Sequence, residues 1–183
     1  MKNYIEIDKN RNFYRDSISR ETKNKLAILV PVSSHIEREC EFSLKELEND
    51  GIKVYRQWGF SAIDQGRCAM AQVAIDAGYE HLMWIDSDIS FYPWDVYKLI
   101  FHEKSFVVGT YSVKGWPRLT IRFDDELNEI KMGKNGGLYR TKWAATGFMY
   151  THVNVYQDIV DHYNMNPVKI WGGQYIVTHG FCQ

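Results

Sequence analysis

The sequence places two aspartates, Asp86 and Asp88, one residue apart and directly after a run of apolar residues. Two carboxylates this close repel each other, and ionised carboxylates are costly where water is scarce. A hard divalent cation relieves both problems, because Mg²⁺ and Mn²⁺ take carboxylate oxygens and leave positions for phosphate oxygens. We therefore interpret Asp86 and Asp88 as catalytic metal ligands. The alternative is a solvated turn in which Ser90 caps the next helix.

Strand and helix patterns alternate around these aspartates. Apolar runs predict four buried strands, at residues 25–32, 53–58, 81–85 and 105–110. Helical spacing predicts three helices between them, at residues 36–49, 61–77 and 94–102. Ser33 or Ser34 is the expected N-cap of the first helix.

The pattern changes in the second half of the chain. Residues 120–123 and 129–132 flank Asp124-Asp125 and predict a hairpin. Further strands are expected at 138–145 and 148–151, and a helix at 153–163. These elements predict an α/β fold, with a mainly parallel sheet flanked by helices and antiparallel hairpin additions in the second half. In such sheets ligands bind beyond the carboxyl ends of the strands, where Asp86 and Asp88 are expected.

Composition limits the function classes. The 183 residues have a net charge of −1, which indicates neither a nucleic-acid partner nor a polybasic membrane patch. We expect one domain over 25–183, with a C-terminus that could be truncated, after an arm or edge element at 1–24. Three dispersed cysteines, Cys40, Cys68 and Cys182, favour reduced thiols and a cytoplasmic location. No run approaches 18 apolar residues, so no transmembrane segment is expected. The oligomeric state is left open.

Five segments, in this order along the chain, resemble the GT-A fold glycosyltransferases. They are AILVPVSS, Gly66-Arg67, HLMWIDSDISFYPWDV, VVGTYSVKGWP and AATGFMYTHVNVY, and together they span residues 27–156. The compact form is also similar to members from bacteria and large DNA viruses. The resemblance implies a GT-A (Rossmann-like) fold and an enzyme that moves a sugar from a nucleotide-diphosphate sugar, with UDP-sugar favoured. The implied acceptor is a glycan or another hydroxyl compound, and the implied cofactor is Mn²⁺, or Mg²⁺.

The resemblance also implies roles for matching residues. Asp88 would ligate the metal directly, and Asp86 would contact the ribose or reach the metal through water. The implied nucleotide and substrate contacts are Pro31, Val32, Ser33, Asp64, Arg67, Asp86, Ser87, Lys114, Trp116, Thr146, Gly147 and Phe148. Lys114 could neutralise diphosphate charge, and Trp116 could stack on a sugar. A solvated lysine, a packed tryptophan and a surface salt bridge for Arg67 remain the plain alternatives.

The end of the sequence departs from this family. Many members carry a late acidic pair that supplies a base, whereas no acidic residue follows Asp161 here. Of the final segment WGGQYIVTHGFCQ, His179 is the candidate for a late metal ligand. The catalytic base and the stereochemical outcome therefore stay unassigned. Three other functions remain open: a non-catalytic sugar-nucleotide-binding module, a haloacid-dehalogenase-type phosphatase and, less favoured, a nucleotidyltransferase.

Overall fold

The computed structural model of the chain describes residues 12–59, 63–116, 118–123, 130–131, 137–166, 168–169 and 175–176. Residues 12–17 are helical, and five further helices follow: α1 (Arg20–Asn24), α2 (Arg38–Asn49), α3 (Ile63–Asp76), α4 (Pro93–Phe101) and α5 (Asn154–His162). The strands are β1 (Leu26–Val32), β2 (Lys53–Trp58), β3 (His81–Ile85), β4 (Phe106–Val108), β5 (Ile121–Phe123), β6 (Thr141–Ala144), β7 (Phe148–His152), β8 (Val168–Lys169) and β9 (Tyr175–Ile176).

A five-stranded sheet organises the fold, in the order β2-β1-β3-β7-β4. β1 pairs in parallel with β2 and with β3, while β7 lies antiparallel between β3 and β4. β4 therefore runs in the same direction as β3, and β7 is the one reversed strand of this sheet. Two small antiparallel sheets, β5-β6 and β8-β9, accompany it. The predicted α/β, Rossmann-like fold with a mainly parallel sheet is confirmed.

Helices cover both faces of the sheet. Successive side chains of a strand point to opposite faces, so β1 contributes to two separate cores. Leu26, Ile28 and Val30 of β1 pack into one core with side chains of α2 and α4. Ala27 and Leu29 pack into a second core with side chains of α3 and α5. The unbroken apolar run of β1 follows from this double burial. Each fully buried aliphatic side chain of this size contributes about 1.5–3 kcal/mol.

The helices end where the sequence supplies local stop signals. Gly51 after α2 and Gly78 after α3 have φ of +87° and +85°, a left-handed conformation that glycine adopts without strain. Pro93 is the first residue of α4, where its missing N–H leaves no helical hydrogen bond unmade. These signals bring β2 and β3 back to the sheet, so that β3 directs its carboxyl end toward the candidate site.

Two local predictions are wrong. β5 pairs with β6, whereas Ile130 and Lys131, the described part of the predicted partner segment 129–132, lie outside any strand. Asp124 and Asp125 lie outside the described residues. The β5-β6 pairing continues past the strand ends, because the Ala145 N–H donates to the Thr120 carbonyl at 2.9 Å. The Thr120 N–H in turn donates to the Tyr111 carbonyl at 3.0 Å, which holds β5 beside the loop after β4.

The predicted serine cap is the second error. α2 begins at Arg38, and Glu37 occupies the N-cap position without a side-chain cap bond. The Ser34 hydroxyl instead pairs with Nδ1 of His35, and the Glu37 N–H donates to the Ser87 carbonyl at 2.8 Å. A contact across the fold thus takes the place of a local cap.

The described part of the N-terminal arm is helical. Ile18, between residues 12–17 and α1, is buried against the first core. The domain boundary at residue 25 stays a prediction. Within the described part of the chain, no helix combines the length and apolar character needed to cross a membrane.

Candidate functional site

The loop that follows β3 carries Asp86, Ser87 and Asp88 at the carboxyl edge of the sheet. The Asp86 N–H donates to the Gly147 carbonyl at 2.8 Å, and the Ser87 carbonyl accepts from Glu37 N–H at 2.8 Å. One bond ties the loop to the segment before β7, and the other ties it to the start of α2. The two carboxylates are therefore held on a backbone fixed from both sides.

Arg67 from α3 neutralises Asp86. Its Nη2 bonds Oδ1 of Asp86, and its Nη1 donates to the Thr146 hydroxyl at 3.0 Å and to the Thr146 carbonyl at 3.2 Å. The guanidinium also lies 5.2 Å from the centre of the Trp84 ring. The Arg67 side chain is 12% exposed. Its charge is committed to Asp86, so Arg67 is best described as a positioning residue for that carboxylate.

The cationic partner of Asp88 is more exposed than that of Asp86. Lys114, in the loop after β4, donates to Asp88 at 3.4 Å and to Glu37 at 3.3 Å. These hydrogen bonds raise the pKa of Lys114, that to Glu37 foremost, so its ammonium stays charged. The Lys114 side chain is 72% exposed, and solvent screens an exposed ion pair so that it contributes little to stability. Lys114 can therefore leave Asp88 at little cost when a ligand arrives.

Gly147 brings its backbone against the Asp86 side chain. A Cβ at this position would lie 2.6 Å from Oδ2 of Asp86 and 2.8 Å from Cδ1 of Ile89, and it would also meet the Tyr111 hydroxyl. That hydroxyl accepts from the Gly147 N–H at 3.2 Å. Burial and the negative charge of Asp86 raise the pKa of Tyr111, which keeps its proton available for donation to a ligand.

Cys40 lies beneath the same loop, with Sγ 3.8 Å from the Asp86 carbonyl. Burial, followed by the charge of Glu41, raises the pKa of its thiol to about 12. The thiol is therefore protonated at neutral pH and unsuited to nucleophilic attack. Cys40 acts as a small packing residue below the site.

A cavity of about 760 Å³ lies beside the aspartates. Ile89, Tyr111 and Phe148 line it close to the site, and further walls come from α4, from β4 and from the β5-β6 region. Asp86 and Asp88 do not belong to the described residues that line it. Its volume falls in the range of small-molecule sites, and its walls carry several aromatic rings.

The structure brings together seven of the residues singled out in the sequence: Arg67, Asp86, Ser87, Asp88, Lys114, Thr146 and Gly147. They come from α3, from the loops after β3 and β4, and from the segment before β7. These residues are up to 80 positions apart in sequence, so it is the topology of the sheet that brings them together. Their assigned roles stay predictions.

The other candidates lie around this centre. Pro31 and Val32 end β1, and Ser33 follows it, at the same edge, because β1 runs parallel to β3. Asp64 is exposed on the first turn of α3, and the Trp116 side chain is largely exposed. Phe148 is buried and packs against Phe91, which gives its ring a core role beside the cavity. His179 lies outside the described residues.

Sequence reasoning missed two members of the site, Glu37 and Tyr111. The first predicted helix includes Glu37, whereas in the structure Glu37 precedes α2 and bonds Lys114. Tyr111 carried a usable signal, since it follows the fourth strand at the edge where ligands are expected.

Asp88 and Glu37 are the residues at this edge that could hold a divalent cation. Asp88 and Glu37 offer hard carboxylate oxygens, and both already share one cationic partner, the Lys114 ammonium. The Asp88 side chain is 54% exposed, so its oxygens are accessible. Asp86 is less accessible because Arg67 occupies one of its oxygens.

No protein-family model matches the chain, and no curated protein does. Among solved structures, the chain is similar to the crystal structure of A197 from STIV, with a TM-score of 0.53 and 13% sequence identity. The similarity covers 85% of this chain and 76% of that chain. At this identity the similarity shows the fold alone, and it agrees with the α/β sheet described above.

Proposed function

We propose that this protein is a glycosyltransferase that moves a sugar from a nucleoside-diphosphate sugar to a hydroxyl acceptor. The observation that carries the proposal is the pairing of Asp86 and Asp88 with Arg67 and Lys114 at the carboxyl edge of a Rossmann-like sheet. Two carboxylates beside one movable cation, Lys114, suit a metal–diphosphate group. UDP as the nucleotide and Mn²⁺ as the ion rest on the family resemblance.

Asp88 would be the direct metal ligand, because its cationic partner is exposed and its contact is long. Asp86 would have a supporting role, because Arg67 and the Gly147 backbone hold its carboxylate. When bound, the ion would supply Lewis-acid stabilisation of the leaving diphosphate. These assignments match those that the resemblance implies.

The residues of this chain supply the rest of the chemistry. Lys114 can turn from Asp88 to a phosphate oxygen and stabilise the negative charge that develops as the glycosidic bond breaks. Tyr111 can donate its hydroxyl proton to a ligand oxygen beside Asp86. The neighbouring cavity is the place for the acceptor, since aromatic rings pack against the apolar faces of sugars.

Calorimetric titration of UDP and GDP, with and without Mn²⁺, tests the binding half of this proposal. We expect one nucleotide to bind only with the metal, and Asp88→Asn to abolish that binding. Asp158→Asn, at an exposed position of α5, is the matched control and should bind as the wild type does. If neither nucleotide binds in any condition, the proposal fails, and hydrolysis of phosphate monoesters becomes the next activity to measure.

A further inference from the structure

A second group of metal-ligating side chains lies at the opposite edge of the sheet. Glu80, His81 and His152 each offer one ligand atom, and these atoms all lie within 4.8 Å of one another. His81 is the first residue of β3, whereas Asp86 follows its last. Five residues of extended strand separate the two places by about 16 Å. This cluster is therefore distinct from the proposed transferase site.

The sheet itself positions the three side chains. The antiparallel register of β3 and β7 places His81 directly opposite His152, so both imidazoles stand on the same face. Their ring centres are 5.2 Å apart, in an edge-to-face arrangement. Glu80 is held by two backbone bonds, from its N–H to the Lys25 carbonyl and from the Val153 N–H to its own carbonyl, both at 3.0 Å.

Each imidazole also has an outer partner that orients its ring. Nδ1 of His81 lies 2.7 Å from the Tyr150 hydroxyl, and Nδ1 of His152 accepts from the Asn154 N–H at 3.3 Å. When Nδ1 of His81 donates to the Tyr150 hydroxyl, its Nε2 is free to bind a metal, and an outer acceptor of this kind supports a metal-binding histidine. The bond from Asn154, by contrast, leaves the proton of a neutral His152 on Nε2. Ligation through Nε2 moves the His152 proton to Nδ1, so the long bond from Asn154 is given up on loading.

We infer that Glu80, His81 and His152 form a binding site for a transition-metal ion of the Zn²⁺ type. Two imidazoles and one carboxylate favour zinc, cobalt or nickel over magnesium or manganese. Three protein ligands leave a fourth position of a tetrahedral ion open. A cavity of about 430 Å³, lined by His81 and His152, provides the space for a water molecule or a small ligand there.

Lys25 lowers the affinity of this site for a divalent ion. Its Nζ lies 2.7 Å from Oε1 of Glu80, so it occupies one carboxylate oxygen and leaves the other for the ion. The ammonium also repels a divalent ion electrostatically. Removing this charge in Lys25→Met should tighten zinc binding about fivefold. A cluster that does not bind zinc would show no such gain.

The test is calorimetric titration of Zn²⁺ into untagged protein, supported by the visible absorption of bound Co²⁺. We expect one ion per chain, with binding weakened at least about tenfold in His152→Ala and in Glu80→Gln. His162→Ala, an exposed histidine on α5, is the matched control and should leave zinc affinity unchanged. Glu80→Gln keeps the size of the side chain, so its result does not depend on how well a histidine variant folds.

Three results would overturn the inference, and the first two concern zinc binding at the cluster itself. One is wild-type affinity in both His152→Ala and Glu80→Gln, and the other is the absence of any zinc binding by the wild-type protein. Asp88→Asn separates the two metal sites, because it should abolish nucleotide binding and leave zinc affinity as it was. If Asp88→Asn removes zinc binding instead, the ion binds at the other edge, and the inference is wrong.

Discussion

Gly147→Ala is the substitution that probes the packing of the site most sharply. The added methyl carbon would lie 2.6 Å from Oδ2 of Asp86 and 2.8 Å from Cδ1 of Ile89. Favourable contacts to carbon begin near 3.5 Å, so the Asp86 carboxylate must shift by about 0.9 Å. Arg67 is bonded to the other oxygen of that carboxylate and resists the shift.

Two effects of Gly147→Ala follow from this geometry. Overpacking of this kind costs typically about 1–3 kcal/mol, which lowers the melting temperature of a chain of this size by roughly 4–8 °C for a cost near 2 kcal/mol. Misplacement of a catalytic group by about 1 Å can reduce turnover about 100-fold. Thermal unfolding measures the first effect, and sugar-nucleotide turnover measures the second.

Gly137→Ala is the matched control, because a Cβ there would meet no atom within 4 Å. Its melting temperature should stay the same or rise slightly, since alanine reduces the freedom of the unfolded chain by about 0.4–1 kcal/mol. If Gly147→Ala melts and turns over as the wild type does, the Asp86 carboxylate is not packed against residue 147. The described geometry of the site would then be refuted.

Three further predictions concern the core and the cations. Tyr156→Phe removes the acceptor of the buried Trp84 indole N–H (2.8 Å) and a partner of the Thr151 hydroxyl (2.9 Å), and should cost about 2 kcal/mol in chemical denaturation. Cys40 should resist alkylation in the folded protein, and the free energy of unfolding should fall as pH rises above about 8.5, because only the unfolded thiol then loses its proton. Lys114→Met should tighten Mn²⁺ binding, by removing a competing cation, and weaken diphosphate binding about tenfold in calorimetry.

Controls for these predictions are available on the same chain. Tyr163→Phe, at an exposed ring, should unfold as the wild type does, and Lys45→Met, at an exposed lysine of α2, should leave both affinities unchanged. Wild-type stability in Tyr156→Phe would show that the buried hydrogen-bond network contributes nothing. Rapid alkylation of Cys40 would contradict its burial. A Lys114→Met protein that loses Mn²⁺ and diphosphate binding together would contradict the proposed exchange of partners.

Local signals made much of the fold predictable. β2 and β3 were predicted to the residue, because each is a short run that ends at a sharp change of composition. The helices were placed within about two residues by their apolar spacing and by Gly51, Gly78 and Pro93. The order of the strands was not predictable in this way. The insertion of β7 between β3 and β4 depends on contacts between residues more than 40 positions apart.

The same distinction applies to the site. Asp86 and Lys114 could be proposed because each follows the carboxyl end of a predicted strand, and such ends meet at one edge. The contact of Glu37 with Lys114 could not be proposed from the sequence, since it depends on how α2 docks against the loop after β3. The exposure of Trp116 could not be predicted from the sequence either, because an aromatic residue in a loop packs inward or outward according to its neighbours in the fold.

Release of UDP from a panel of UDP-sugars, in the presence of Mn²⁺, tests the central claim most directly. The wild-type protein should turn over at least one donor, and an added hydroxyl acceptor should accelerate the reaction. Asp88→Asn should lower that turnover by about 100-fold or more, whereas Asp158→Asn should not. Equal turnover by Asp88→Asn and the wild type would contradict the proposed role of Asp88. Nucleotide binding without turnover of any donor would contradict the transferase assignment and identify a binding module instead.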